Sequence, residues 1–452
     1  MSNPGDADPT PIRDLRQLAE WFAAGSKPRD AWRVGTEHEK FGFRRSDLRA
    51  PEYQPDTPGE SGIRAILEGL AAKGWEPILD RGNPIGLTRN GASVSLEPGG
   101  QFELSGAPLA DLHQVEAELA DHLRDTAAVA GPLGIAFAPL GFHPLARRED
   151  MPWMPKQRYA IMRDYMPRVG EMGLDMMLRT CTVQCNLDFG DEADMVEKLR
   201  LSLSLQSLAT ALWANSPFRE GQDTGFQTLR GDVWSKTDPD RTGIPAVVFE
   251  EGFGFERFVG HVLDVPMYFV MRDGAFVDAT GVSFRHFMAH GLPGRPEIHA
   301  TVGDWADHVT TVFTDVRLKR FLEMRGSDVG SPAMMVAQPA FWVGLLYDDA
   351  AQKAGLELVR GWDIESLRAL RAAVPRQGLE ARIAGRELRE VARDALAIAR
   401  GGLRARGQGE ERFLDPLDAI AESGITQASH WRQRLHTAWG GDVSRIFAEA
   451  EV

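Results

Sequence analysis

R-V-G-T-E-H-E-K-F-G-F, residues Arg33 to Phe43, is the stretch around which the rest of the chain is organised. Val34, Phe41 and Phe43 are apolar, and Gly35 and Gly42 punctuate the run, a pattern that predicts a short strand. Glu37 and Glu39 stand two residues apart, and on a strand such residues face the same side. Two carboxylates side by side on a mostly apolar strand repel each other and resist desolvation. A positive group is therefore expected between them, and a divalent cation meets that need because hard cations take oxygen ligands. A solvated edge strand that carries two acids is the alternative this segment leaves open.

Further acids occur in similar settings. In A-S-V-S-L-E-P-G-G-Q-F-E-L-S-G, Ala92 to Gly106, Val94, Leu96, Phe102 and Leu104 alternate with polar residues. The pattern predicts two strand pieces around Pro98-Gly99-Gly100, with Glu97 and Glu103 on the polar side. A charge-alternating surface sheet would look the same. R-T-C-T-V-Q-C-N-L-D-F, Arg179 to Phe189, reads as a strand with Thr182, Gln184 and Asn186 on one face and Val183, Cys185 and Leu187 on the other. Uncharged polar residues in a row point to a lined cavity, whereas a solvated face more often carries charges. Phe321 to Arg325 alternates too, with Glu323 and Arg325 sharing a face. Glu37, Glu39, Glu97, Glu103 and Glu323, with Gln184 as a further oxygen donor, suit Mg²⁺, which commonly bridges to substrate phosphates. Arg325 is placed to neutralise a phosphoryl oxygen.

The remainder of the chain bounds the function. Its 452 residues are 43% hydrophobic and 26% charged, as in globular proteins, and the net charge of -14 argues against a nucleic-acid partner. Two cysteines do not make a disulfide framework, and Cys181 and Cys185 lack zinc-finger spacing. No apolar run approaches the roughly 18 residues of a membrane span. These features together predict a soluble, cytoplasmic protein, with residues 1–11 as a disordered Pro-rich leader. The phosphate loop G-x-x-x-x-G-K-S/T, H-E-x-x-H and G-x-S-x-G are absent, and Gly252-Phe253-Gly254 is only a weak glycine pair. Arg158, Tyr159, Arg163 and Tyr165 either line a small-anion pocket or pack and solvate a helix. Gly225 to Gly243, rich in turn residues and mixed charge, reads as a functional loop. Residues 339–452 read as nearly all helix wrapped on the sheet, with no linker that would separate a second domain. Cys181 and Cys185, four residues apart on a strand, lie about 13 Å apart. They are thus too far apart to bridge, and both thiols point to the apolar side.

With these strings in view, the chain resembles glutamate–cysteine ligase of the plant and proteobacterial type. The resembling stretches are G-T-E-H-E-K-F-G-F, S-V-S-L-E-P-G-G-Q-F-E-L-S-G, R-T-C-T-V-Q-C-N-L-D-F, L-D-V-P-M-Y-F and R-L-K-R-F-L-E-M-R-G-S-D, across roughly residues 30 to 340. The resemblance implies an α+β fold, a curved antiparallel sheet forming a basket with helices outside, akin to the glutamine synthetase catalytic fold. It implies ATP-dependent joining of glutamate to cysteine, the first step of glutathione synthesis. A ligase of the same mechanism with another amine acceptor is the alternative. It further implies that Glu37, Glu39, Glu97, Glu103, Gln184 and Glu323 hold Mg²⁺ around ATP and that Arg325 contacts the phosphates. Arg158 and Arg230 would hold glutamate carboxylates, Tyr268 would border the cysteine pocket, and Gly225–Gly243 would cover the site. Plant members are controlled through disulfides, from which this chain departs in having only two cysteines.

Overall fold

The computed structural model describes residues 8–452. Among them, β1 (Val34–Arg44) is the axis of a nine-stranded antiparallel sheet. The other strands are β2 (Glu76–Asp80), β3 (Asn83–Arg89), β4 (Ala92–Leu96), β5 (Phe102–Ser105), β6 (Ile135–Ala138), β7 (Thr182–Leu187), β8 (Val316–Leu318) and β9 (Leu322–Asp328). Their order is β8-β9-β7-β1-β5-β4-β3-β2. The first half of β1 is flanked by β5 and β7, and its second half, Phe41 to Arg44, pairs with β6. The acids of the opening motif are thereby central in the sheet, not on an edge.

The turn between β4 and β5 falls where Pro98-Gly99-Gly100 places it. Gly100 has φ +83°, a conformation that favours glycine, and its N–H donates to the Glu97 carbonyl at 2.9 Å. Register shifts interrupt β9 between Met324 and Ser327 and β2 between Ile78 and Leu79. Such irregularities bend a strand and increase its twist, which gives the α+β class with a curved antiparallel sheet expected from the sequence.

Helices supply the outer layer. They include α1 (Leu112–Ala130), α2 (Gln157–Val169), α3 (Glu192–Leu212), α4 (Leu229–Ser235), α5 (Pro332–Leu346), α6 (Ile364–Gln377) and α7 (Leu388–Arg406). Asp111, Asp191, Thr228 and Asp363 cap α1, α3, α4 and α6 by accepting from a backbone N–H of the first turn. From Met334 to Leu346 α5 is buried on all sides, as a helix without a polar face must be. Cys181, Val183, Cys185, Leu187, Leu322 and Met324 join Leu205, Leu208, Ala337 and Phe341 in one apolar core. A second core gathers Val94, Leu96, Phe102 and Leu104 with Ile66, Leu70, Tyr159 and Met162.

Three expectations change here. Residues 1–7 of the expected leader lie outside the described residues. Its remainder is not free chain, because Asp8 and Thr10 carbonyls accept from Gly303 and Val302, and Ile12 N–H donates to Ala300. Gly225–Gly243 is not an open loop. It contains α4, and Arg230, Thr237, Asp238 and Arg241 within it are buried, so packing overrides its turn-rich composition. The helical C-terminal part begins at Pro332 rather than near 339, and the short pair Arg382–Ile383 and Arg386–Glu387 interrupts it.

Candidate active site

Cross-strand register assembles the polar face. Glu39 lies opposite Glu103, Glu37 opposite Gln184, and Glu323 opposite Asn186. Directly paired residues share a face, so acids from β1, β5 and β9 and the amides of β7 stand together. Glu97, one residue beyond β4, lines the same cavity as Glu39, Thr182, Gln184, Arg230, Trp234, Phe313 and Arg325. The five glutamates are all more than nine-tenths buried.

Neutral donors hold most of these carboxylates in place. Glu37 Oε1 accepts from Asn186 Nδ2 at 3.0 Å, and Glu39 Oε2 from the Thr182 N–H at 2.9 Å. Glu103 accepts from Ser95 and Ser105 hydroxyls at 2.7 and 3.1 Å. Glu323 differs. Its Oε2 accepts from Arg317 Nε at 2.5 Å and Arg325 Nη1 at 3.0 Å, and Lys319 Nζ stands 3.5 Å from its Oε1. Arg325 also donates to Gln184 Oε1 at 2.7 Å. Arg230 Nη2 donates to the Arg325 carbonyl at 3.0 Å, while its Nε is buried without a partner.

Protonation follows this geometry. Burial, then Glu97 and Glu103, push the Glu39 carboxyl up to about 8. Burial, then Glu323 and Glu103, raise that of Glu37. Burial alone would raise Glu323 as well, but Arg317, Lys319 and Arg325 outweigh it and hold this group well below the usual carboxylate range. Burial lowers the Lys319 ammonium, with Glu323 opposing.

The residues present fit a bound divalent cation. The Glu323 Oε1 is buried without a hydrogen bond, and Glu37 and Glu39 crowd other carboxylates with only neutral donors on them. Among the described residues no three Asp, Glu, His or Cys side chains converge on one point able to hold a metal ion. The acids thus line a surface that an ion and an anionic substrate would complete.

Register and cavity lining bring Glu37, Glu39, Glu97, Glu103, Gln184, Glu323, Arg325 and Arg230 to one side of the sheet. Arg158, on α2, lines a neighbouring cavity with Lys156, Asp80 and Met271. Tyr268 is buried one ring behind the cavity wall. Its hydroxyl donates to Met166 Sδ at 3.9 Å, its ring centroid is 6.3 Å from that of Phe313, and the Arg241 guanidinium lies 3.9 Å above it. Sequence reasoning passed over Arg317, Lys319, Lys156, Trp234 and Phe313. The first two share the parity of Glu323 and Arg325, a signal that was legible in R-L-K-R-F-L-E-M-R. Lys156 is pushed down to about 8 by burial and then by Arg158, with Glu97 and Glu103 opposing.

Fold and site together define an antiparallel-sheet enzyme with a carboxylate-rich, arginine-flanked face. The same fold is found in the solved structure of the glutamate–cysteine ligase of Francisella tularensis in complex with AMP. That chain is 10% identical, with a TM-score of 0.54 over 93% of this chain and 87% of that one. The chain belongs to the glutamate-cysteine ligase family 2 (GCS2), which it matches over residues 33–449. It is similar to the chloroplastic glutamate–cysteine ligase of Arabidopsis thaliana, 48% identical over 96% of this chain and 82% of that protein. It is also similar to the chloroplastic ligase B of Oryza sativa subsp. japonica, 47% identical over 96% and 86%. These findings overturn the cytoplasmic location read from composition, since the relatives are named chloroplastic. Charge, cysteine content and hydropathy do not distinguish one compartment from another. Among the described residues no helix is long and apolar enough to cross a membrane.

Proposed function

We propose that the protein joins the γ-carboxylate of L-glutamate to the amine of L-cysteine at the expense of ATP, the first step of glutathione synthesis. The observation that carries the reading is the single sheet face on which five buried glutamates meet Arg325 and Arg230. Family membership supports it, as does the AMP in the Francisella tularensis structure. The chain is one catalytic unit in this reading, since among the described residues both apolar cores pack against the same sheet.

The γ-carboxylate attacks the γ-phosphorus of ATP. An O–P bond forms, the bridging P–O bond breaks, and ADP leaves. Carboxylate and triphosphate repel, so the site must neutralise both and hold them in line. Glu37, Glu39, Glu97, Glu103, Gln184 and Glu323 would hold Mg²⁺, which when bound supplies that neutralisation. Arg325, fixed by Gln184 and Glu323, faces the transferred phosphoryl group. Arg230 binds a carboxylate of glutamate from within the cavity, Arg158 serves glutamate only if the substrate reaches the adjoining cavity that it lines, and Tyr268, through Phe313, borders the cysteine pocket. The cysteine amine then attacks the acyl carbon of γ-glutamyl phosphate, the C–O bond to phosphate breaks, and phosphate leaves. A protein nucleophile is not required. Water must be kept from the acyl phosphate, and α4 serves as a wall, because Arg230 and Trp234 face the cavity from it.

The test is ADP release with ATP, Mg²⁺ and glutamate while the amine is varied. Cysteine is expected to stimulate most. Equal turnover with aspartate in place of glutamate, or no preference for cysteine, would refute the reading, and a preference for another amine would assign the alternative acceptor.

A further inference from the structure

Asp328 ends β9, is fully buried, and has no part in the chemistry above. Its Oδ2 accepts from the Asn215 N–H at 2.8 Å and from Ser216 Oγ at 2.6 Å, and its Oδ1 accepts from Thr228 Oγ1 at 2.9 Å. A hydroxyl has one proton and two lone pairs. With both protons committed to Asp328, the two hydroxyl oxygens are free to accept from the first turn of α4. Ser216 Oγ takes the N–H of Arg230 at 3.1 Å, and Thr228 Oγ1 takes that of Gly231 at 3.0 Å. The guanidinium of the same Arg230 is tied to the Arg325 carbonyl at 3.0 Å. One strand therefore holds this arginine twice, by its backbone through Asp328 and by its side chain through Arg325. The carboxylate packs closely on Gly141, where a Cβ would stand 2.4 Å from its Cγ, so glycine at that position makes room for it.

We propose that Asp328 is a positioning residue for Arg230, which through the hydroxyls of Ser216 and Thr228 sets the turn that aims the guanidinium into the substrate cavity. The inference rests on the reading of Arg230 as a ligand of glutamate. An asparagine at 328 keeps the shape but cannot accept from all three donors, since its NH₂ must face one of them. Its cost falls on the aim of Arg230, hence on glutamate binding.

The experiment compares Asp328→Asn, Arg230→Lys and the double variant in the full-length enzyme, with KM measured for glutamate, cysteine and ATP. A net hydrogen bond corresponds to an effect of up to about tenfold, so Asp328→Asn is expected to raise KM for glutamate about tenfold. KM for ATP should stay within about twofold. On the Arg230→Lys background the same change should add less than about twofold, because the arginine it positions is gone. An unchanged KM for glutamate, a parallel rise in all three constants, or a full tenfold increment on the Arg230→Lys background would each overturn the inference. Should Asp328→Asn fail to fold, Ser216→Ala removes one relay hydroxyl and is expected to raise KM for glutamate about threefold. No rise in that variant also overturns it. If Arg230→Lys itself leaves glutamate affinity unaltered, the reading of Arg230 fails, and the inference with it. If Arg230→Lys weakens glutamate and Asp328→Asn does not, only the positioning role fails.

Discussion

On β1, Glu37 and Glu39 turn to one face of the sheet and His38 and Lys40 to the other, and all four are more than nine-tenths buried. On the even-numbered face the charge is answered within the chain. Lys40 Nζ lies 3.1 Å from His38 Nδ1 and 3.2 Å from His122 Nε2, and Phe102 stacks on the His122 ring. Burial, then Lys40, keep both imidazoles well below their ordinary value and therefore neutral acceptors. Burial pushes Lys40 itself down to about 7. On the odd-numbered face Glu37 and Glu39 meet neutral donors and further carboxylates, so their charge is left for a ligand. Equal burial thus serves two ends. The lesson is that a buried charge left uncompensated marks a site better than a buried charge does.

The comparison breaks most visibly at Glu323. Glu323→Gln keeps shape and removes the charge that organises Arg317, Lys319 and Arg325. Loss of such a transition-state contact is expected to lower kcat on the order of 10²–10³-fold. Steady-state rates within about threefold of the parent, in a folded variant, would remove the odd face from catalysis.

A second test separates function from stability. Burial and the neighbouring carboxylates push the Glu39 carboxyl up to about 8, so folding costs it its charge at neutral pH. Glu39→Gln removes that cost, so the metal-free protein should become more stable while activity falls. At about 2.1 cal/mol/K of unfolding entropy per residue, a gain of about 1 kcal/mol corresponds to a rise in Tm of about 1 °C at this size. A lower Tm would mean that Glu39 is compensated after all.

The even face gives a smaller, pH-dependent effect. Lys40 titrates near 7 in the folded protein but at its ordinary, higher value of about 10.4 when unfolded. Between those values the unfolded chain binds the extra proton. Stability therefore rises with pH across that window and is lost as pH falls through it. Lys40→Met abolishes this dependence, so its stability relative to the parent should decline as pH rises from 7 to 10, by at most about 1.4 kcal/mol per unit. A difference that is flat with pH in urea melts would contradict the reading of Lys40 as a buried, proton-shedding amine.

The smallest effect concerns the thiols on that same face. Cys181 and Cys185 are free and fully buried, and burial raises both well above the ordinary thiol value. Dithiothreitol should leave the initial rate unchanged, and thiol counting should find both groups only after unfolding. Reversible activation by oxidant would show that this face is more accessible than its packing implies.

Much of this was legible in the chain because side-chain parity on a strand is local. It put Glu37 with Glu39, Gln184 with Asn186, and Glu323 with Arg325 before any partner strand was known, and Pro98-Gly99-Gly100 marked its own turn. The acidic set and the family resemblance also came from short strings. What tertiary structure alone decided is which strands are neighbours, and hence that Glu39 faces Glu103 and Glu37 faces Gln184. It also decided that Gly225–Gly243 packs as a helix-bearing wall, that Arg158 lines an adjoining cavity, and that Asp328 reaches Arg230 through Ser216 and Thr228. Those relations join residues as far apart in sequence as Glu37 and Gln184. They depend on which surfaces fit and bury against one another, and no local period in the sequence encodes that fit.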